Sequence, residues 1–199
     1  MNFYQIALPI FTVIFLLQVF VIRSLVLWKK TGKNPFMFSK SDGAHGYAGK
    51  VYKLMVVGTW ISIAMFSFFD SYYKYLLPIW YLDMEWLRIS GVGLVLLAFV
   101  WIIVAQFQMK NSWRIGIDYN DKTELIDSGL FQISRNPIFL GVIVSYIGTF
   151  LIIPNLLSFC IMVLTIVILQ VQVRLEEEYL IKLHGDEYHV YKNKVRRWI

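Results

Sequence analysis

The sequence predicts an all-α protein, a polytopic membrane bundle of about five transmembrane helices with short amphipathic helices at its C-terminal end. Three observations predict it. Hydrophobic residues make up 58% of the 199 positions and charged ones only 16%, against roughly 25% charge in an ordinary soluble domain. The apolar residues are gathered into runs close to the ~20 residues a helix needs to cross a bilayer, where an unpaired backbone amide is too costly for any open structure. Lysine and arginine concentrate in alternate connecting segments.

The first run, Phe3–Leu27, lacks a basic leader and a small-residue cleavage site, so it is expected to be a retained span. Arg23 lies near its end, where a long side chain can snorkel toward headgroups. The second span is expected at Val51–Phe69 and the third, free of charge, at Ile89–Met109. Between them Tyr72, Tyr73, Tyr75, Trp80, Tyr81 and Trp86 fit an interfacial aromatic belt. From residue 136 to 173 no charge occurs, and Pro154-Asn155 supplies a turn that divides the run into Pro137–Ile153 and Leu156–Val173. Gly141, Ser145 and Gly148 recur at helical spacing and predict close helix packing; Gly91-Val92-Gly93 reads the same way.

Lys29, Lys30, Lys33, Lys40, Lys50 and Lys53 follow the first span, Lys110, Arg114, Lys122 and Arg135 the third, and Arg174, Lys182, Lys192, Lys194, Arg196 and Arg197 the last. Only Lys74 and Arg88 fall on the other side, which predicts an outer N-terminus and a cytoplasmic C-terminus. With no linker or repeat, residues 1–199 read as a single membrane domain. The net charge of +6 is interrupted by spans, so it suits anionic lipid headgroups and argues against nucleic acid. Cys160 is a lone apolar-run thiol, and His45, His184 and His189 make no credible zinc set with it. His184 reads as an exposed tail histidine. Walker, GxGxxG and HExxH patterns are absent.

Polar chemistry collects on either side of the hairpin. Spans four and five are nearly equal in length and joined tightly, so Arg135–Pro137 and Arg174–Glu177 are expected side by side at one membrane depth. Asn136 is suited to N-cap a helix that Pro137 begins, leaving backbone N–H groups that with Arg135 favour an anion such as a carboxylate. The last turns of span five, with Glu176, Glu177 and Glu178, favour a cation or hydroxyl donors. S-adenosylmethionine has that layout. An interfacial salt-bridged rim with no ligand is the alternative on these residues alone.

The same residues resemble the isoprenylcysteine carboxyl methyltransferase family, in its bacterial-type integral membrane form. Its pattern is Arg-His-Pro-x-Tyr, an apolar hairpin, Glu-Glu-x-x-Leu and a Gly-x-x-Tyr-x-x-Tyr tail. Here the elements read Arg135-Asn136-Pro137-Ile138-Phe139, Glu176-Glu177-Glu178-Tyr179-Leu180 and Gly185-Asp186-Glu187-Tyr188-His189-Val190-Tyr191, ending Val195-Arg196-Arg197-Trp198-Ile199. Asn111-Ser112-Trp113-Arg114 resembles the segment after the third span, so the likeness covers roughly residues 110–199, behind three spans in residues 1–109. Asn136 stands where the family has His, and Phe139 where it has Tyr.

The resemblance implies an S-adenosylmethionine-dependent methyltransferase in the bacterial inner membrane, its site facing the cytoplasm and its acceptor lipophilic or membrane-embedded. Arg135, Asn136, Pro137, Phe139, Glu176, Glu177 and Leu180 would frame the cofactor, and Tyr188 and Tyr191 would close over it. Transfer from a sulfonium needs alignment more than a strong base. Arg174 or Arg114 would orient a carboxylate acceptor, and Glu177 is the candidate base for a thiol or lipid amine. An NADPH-dependent membrane reductase of the steroid-reductase-like type and a noncatalytic lipid-binding protein are the competing readings.

Overall fold

The computed structural model describes residues 2–32, 44–110 and 124–199. Helix α1 (Phe3–Leu16) runs through a π-helical segment (Leu17–Ile22) into α2 (Arg23–Thr31), and α3 (Ala44–Phe68) returns antiparallel. A short α4 (Asp70–Tyr73) and two 3₁₀ turns lead to α5 (Glu85–Gln108), and after the 3₁₀ turn Gly129–Gln132 come α6 (Pro137–Ile152), α7 (Leu156–His184) and α8 (Asp186–Lys194). Four stretches are long and apolar enough to cross a membrane: Phe3–Lys30, Gly46–Phe68, Glu85–Gln108 and Leu156–His184. Helix α6 is the fifth apolar helix, shorter than the others. The chain is an integral membrane protein, with all five apolar runs helical as expected.

The π segment keeps one face of the first span turned inward. Tyr4, Leu8, Val19, Ser24 and Leu27 are buried along it, and the step from 19 to 24 is one residue longer than a helical turn. A π-bulge absorbs that extra residue. Gln106, buried on α5, donates from Nε2 to the freed Val19 carbonyl at 2.9 Å. Arg23 does not simply reach for headgroups: its Nη2 donates to the carbonyls of Gln106 at 2.9 Å and Lys110 at 2.7 Å. These are carbonyls at the end of α5, which otherwise lack helical partners.

Helices α5 and α6 pack most closely because glycine permits it. A Cβ on Gly148 would stand 2.7 Å from the Gly91 carbonyl oxygen, and one on Gly91 would stand 2.6 Å from that of Gly148. One on Gly141 would meet Ile102 at 2.5 Å. Backbones approach here as they do in small-residue membrane interfaces.

The α6–α7 turn is a buried anchor as well as a bend. Asn155 is fully buried; its side chain accepts from the Ser158 N–H at 2.9 Å, and Ser158 Oγ accepts from the Asn155 N–H at 3.2 Å. Asn155 Nδ2 also donates to Ser62 Oγ at 3.0 Å and to the Tyr73 hydroxyl at 3.3 Å. Backbone bonds from Ile79 N to Pro154 O, 2.9 Å, and from Leu156 N to Leu77 O, 3.2 Å, seal the turn against the α4–α5 connection.

The two hairpin helices are not of equal length. Helix α7 runs past the expected end at Val173 to His184. Arg174-Leu-Glu-Glu-Glu-Tyr-Leu ends the apolar run but consists of good helix formers. Gly185, at φ +53°, breaks the helix in a conformation that side chains rarely adopt.

Candidate functional site

The polar ends of α6 and α7 meet at one buried carboxylate. Glu177, its side chain 4% exposed, receives Arg135 Nη2 at 2.9 Å and Nε at 3.2 Å on Oε1. Arg197 adds Nε to Oε1 at 3.1 Å and Nη2 to Oε2 at 2.8 Å. Asn136 Nδ2 lies at the outer limit, 3.5 Å from Oε1. Three segments remote in sequence thus converge, and two guanidiniums against one carboxylate leave one net positive charge.

The end of α8 and the tail beyond it are fastened to the non-helical entry of α6. Arg135 Nη1 donates to the carbonyls of Lys192 at 2.9 Å and Val195 at 2.7 Å, and its backbone N–H donates to Arg196 O at 3.0 Å. Ser134 Oγ and Asn136 Nδ2 both donate to Arg197 O, at 3.2 and 3.3 Å. The Asn136 side chain therefore serves the tail, and it makes no capping bond to α6 although it occupies the N-cap position. Ser134 accepts the Asn136 N–H instead, at 3.1 Å.

The tail aromatics are core residues. Tyr188 is 1% exposed. Burial, then the Glu177 carboxylate, push its phenol well above the ordinary range, although Arg135 acts the other way. The Tyr191 hydroxyl donates to Phe131 O at 2.7 Å, tying α8 to the 3₁₀ turn before α6.

The remaining expected residues divide. Pro137 is buried, and its carbonyl accepts from Trp101 Nε1 at 2.9 Å. Phe139 packs into an apolar cluster with Val19, Ile102, Val142 and Leu169, on the membrane side of the charges. Glu176 and Leu180 are half-buried on α7, one turn apart and on a stripe with Gln172. Gln172 is 4% exposed, and its Oε1 has no hydrogen-bond partner among the described residues. Arg174 stands outside the cluster: it is exposed and its Nη1 donates to Gln170 O on its own helix at 3.0 Å. Arg114 and the Asn111–Arg114 segment lie outside the described residues. His184 is not the exposed histidine expected; its side chain is 11% exposed, with Nδ1 3.9 Å from Glu187.

Sequence reasoning missed Arg197 as a site residue and counted it only as a tail charge. A signal was available, since a buried carboxylate requires compensation at both oxygens and the start of α6 supplies one arginine.

Comparison with known proteins accords with this geometry. The phospholipid methyltransferase family profile matches residues 86–187, just over half of the chain and both halves of the hairpin. The protein-S-isoprenylcysteine O-methyltransferase of Saccharomyces cerevisiae is 39% identical over 72 residues, which cover 36% of this chain and 30% of that protein. A solved eukaryotic intramembrane Ras methyltransferase, isoprenylcysteine carboxyl methyltransferase without a monobody, superposes with a TM-score of 0.58 at 19% identity. That match covers 75% of this chain and 52% of the other, so it speaks to the fold. The chain thus spans about a third to a half of the length of these relatives. The profile reaches Glu187 and leaves out Arg197. From the match across the hairpin and its flanking motifs, the chain belongs to the phospholipid methyltransferase family.

Proposed function

We propose that the chain is an S-adenosylmethionine-dependent methyltransferase acting on a lipophilic or membrane-embedded acceptor at the polar end of α6 and α7. The observation that carries this reading is the Arg135–Glu177–Arg197 cluster, assembled where two spans of the family-matched region end. S-adenosylmethionine, when bound, supplies an activated methyl group on a sulfonium.

The residues present fit that group in two respects. The net positive charge beside the start of α6 suits a carboxylate. Gln172 Oε1, without a partner among the described residues, suits a hydroxyl or amino donor, because buried polar atoms are rarely left unpaired. Arg135, Asn136 and Pro137 would form one wall, Glu176 and Leu180 another, and Tyr188 and Tyr191 would hold the tail across them. Phe139 would offer an apolar face on the bilayer side.

Glu177 serves in this reading as a positioning residue that aligns Arg135 and Arg197. Both its oxygens accept guanidinium hydrogen bonds, which leaves it poorly placed to take a proton from a thiol or amine. That favours a carboxylate acceptor, already a nucleophile at neutral pH, with the exposed Arg174, and Arg114 from the sequence, as its orienting cations. The name of the yeast relative points to an isoprenylated cysteine and the family's description to phospholipids. The lysine and arginine excess at this end supports a site facing the cytoplasm, and the bacterial-type resemblance supports the bacterial inner membrane.

The test is calorimetry on purified protein in detergent. The expected result is saturable binding of S-adenosylmethionine and S-adenosylhomocysteine, weakened at least tenfold by Glu177→Gln. Absence of affinity at millimolar concentration overturns the reading, and thermal stabilisation by NADPH alone transfers it to the reductase class.

A further inference from the structure

At the level where α6 begins, both helices of the hairpin carry polar groups that the protein leaves unmet. Gln172 is the seventeenth residue of α7, about 25 Å from the turn, and the 16 residues of α6 reach about 24 Å, so it stands beside the first turn of α6. Leu169, one turn nearer the hairpin end, shares an apolar cluster with Ile138 and Phe139 of that first turn. Gln172 is 4% exposed, yet its Oε1 has no hydrogen-bond partner among the described residues and its Nε2 donates to none of them.

The α6 side is equally unmet. Asn136 gives the helix no side-chain cap, and the first backbone bond of the helix runs from Leu140 N–H to Asn136 O at 3.0 Å. The N–H groups of Ile138 and Phe139 are left without an acceptor among the described residues. Three donors and one acceptor, all unspent, thus gather about 7.5 Å on the bilayer side of Glu177. A polar cofactor reaches that level from the ionic cluster, and a lipophilic acceptor reaches it from the apolar cluster below.

We propose that Gln172 aligns the two substrates of the methyl transfer, an inference that rests on the function given above. Its Nε2, with the Ile138 and Phe139 N–H groups, holds the head of a carboxylate-bearing lipophile, while its Oε1 takes a hydroxyl or amino hydrogen of the cofactor. In the transfer one carboxylate oxygen bonds to the methyl carbon as the carbon–sulfur bond breaks and its electron pair stays on sulfur. An ester and a thioether form, and no proton moves. Such a displacement gains from fixed geometry, and a neutral amide supplies it without burying a further charge.

The experiment is calorimetry of S-adenosylhomocysteine on purified protein in detergent, with and without dodecanoate as the carboxylate probe, alongside thermal unfolding of the unliganded protein. Dodecanoate should tighten S-adenosylhomocysteine about fivefold in the unmodified protein, because an amide ordered by one ligand is ready for the other. Gln172→Met should weaken S-adenosylhomocysteine about threefold, abolish the tightening, and melt no lower than the unmodified protein, since it removes no hydrogen bond. A lower melting temperature in Gln172→Met reveals an amide already satisfied and overturns the proposal. So does tightening that survives the substitution, or none in the unmodified protein. Failure of the unmodified protein to bind S-adenosylhomocysteine at all overturns the methyltransferase reading, and this proposal with it.

Discussion

Removing Arg197 tests whether Glu177 is held from two sides. Arg197→Met deletes the 3.1 Å bond to Oε1 and the 2.8 Å bond to Oε2 but keeps much of the apolar stem. A hydrogen bond to a charged group contributes about 1.5–3 kcal/mol. With the Arg197 side chain 29% exposed, water can replace part of what is lost, so the expected cost is about 2 kcal/mol. Glu177→Gln is expected to cost more, about 3–5 kcal/mol, because it strands the nearly buried Arg135 beside a second cation. With Gln at 177, Arg197→Met removes a repulsion as well as a bond. The double variant should then be no worse than Glu177→Gln alone, giving a coupling energy of about 2 kcal/mol. The assay is reversible unfolding in mixed detergent micelles by sodium dodecyl sulfate, followed by tryptophan fluorescence. Single-variant costs that add to within about 0.5 kcal/mol would refute a shared carboxylate.

Gly148→Val forces a side chain into the 2.7 Å gap at the Gly91 carbonyl, and size-exclusion chromatography should show loss of the monodisperse folded species, whereas Gly93→Val, with nothing within 4 Å, should elute normally. Asn155→Ala removes the cap of α7 and the bonds to Ser62 and Tyr73, so denaturant titration should record a loss of about 2–3 kcal/mol, the sum expected for a cap and a buried side-chain bond. Gln106→Leu leaves the Val19 carbonyl without its Nε2 donor, and hydrogen–deuterium exchange should accelerate in residues 17–24 while α7 stays protected. Tyr191→Phe loses only the bond to Phe131 O, with an expected stability change of about 1 kcal/mol and a weaker effect on cofactor affinity than Arg197→Met.

The five apolar helices and the α6–α7 turn were legible because hydrocarbon imposes a length and forbids unpaired backbone, and both constraints act on local sequence. The juxtaposition of Arg135 with Glu177 was legible for the same reason, through counting residues from Pro154. What escaped depends on contacts between segments. The π segment is invisible until Gln106 is seen to take the Val19 carbonyl, because Leu17–Ile22 has ordinary α-helical composition. Arg23 was expected to seek headgroups, but the end of α5 offers carbonyls that take its Nη2 at closer range. Arg197 lies in a charged tail whose composition suits solvent equally well, and its destination is set by Glu177.

The shortness of α6 accounts for why the tail is part of the site at all. At about 1.5 Å of rise per residue, its 16 residues reach about 24 Å, less than the ~30 Å hydrocarbon core. Glu177 is the twenty-second residue of α7, about 32 Å from the hairpin turn by the same rise. The difference is spanned on the α6 side by Ser134–Asn136, whose backbone is non-helical at Asn136, φ −132° and ψ 55°, and so cannot satisfy itself as a helix would. At this depth unpaired amides and carbonyls are costly. Ser134 N–H is taken by Leu130 O and Asn136 N–H by Ser134 Oγ, and the tail supplies the rest: Arg196 O takes the Arg135 N–H, and Arg197 O receives the Ser134 and Asn136 side chains. Once the tail is held there, the Arg197 side chain is within reach of Glu177. A longer α6 would have satisfied its own backbone and left Glu177 with a single arginine. Inserting one helical turn, Ala-Leu-Ala-Leu after Leu140, should therefore detach the tail, seen as rapid proteolysis after Lys192 and Lys194 with the bundle intact; continued protection of both lysines would refute this dependence.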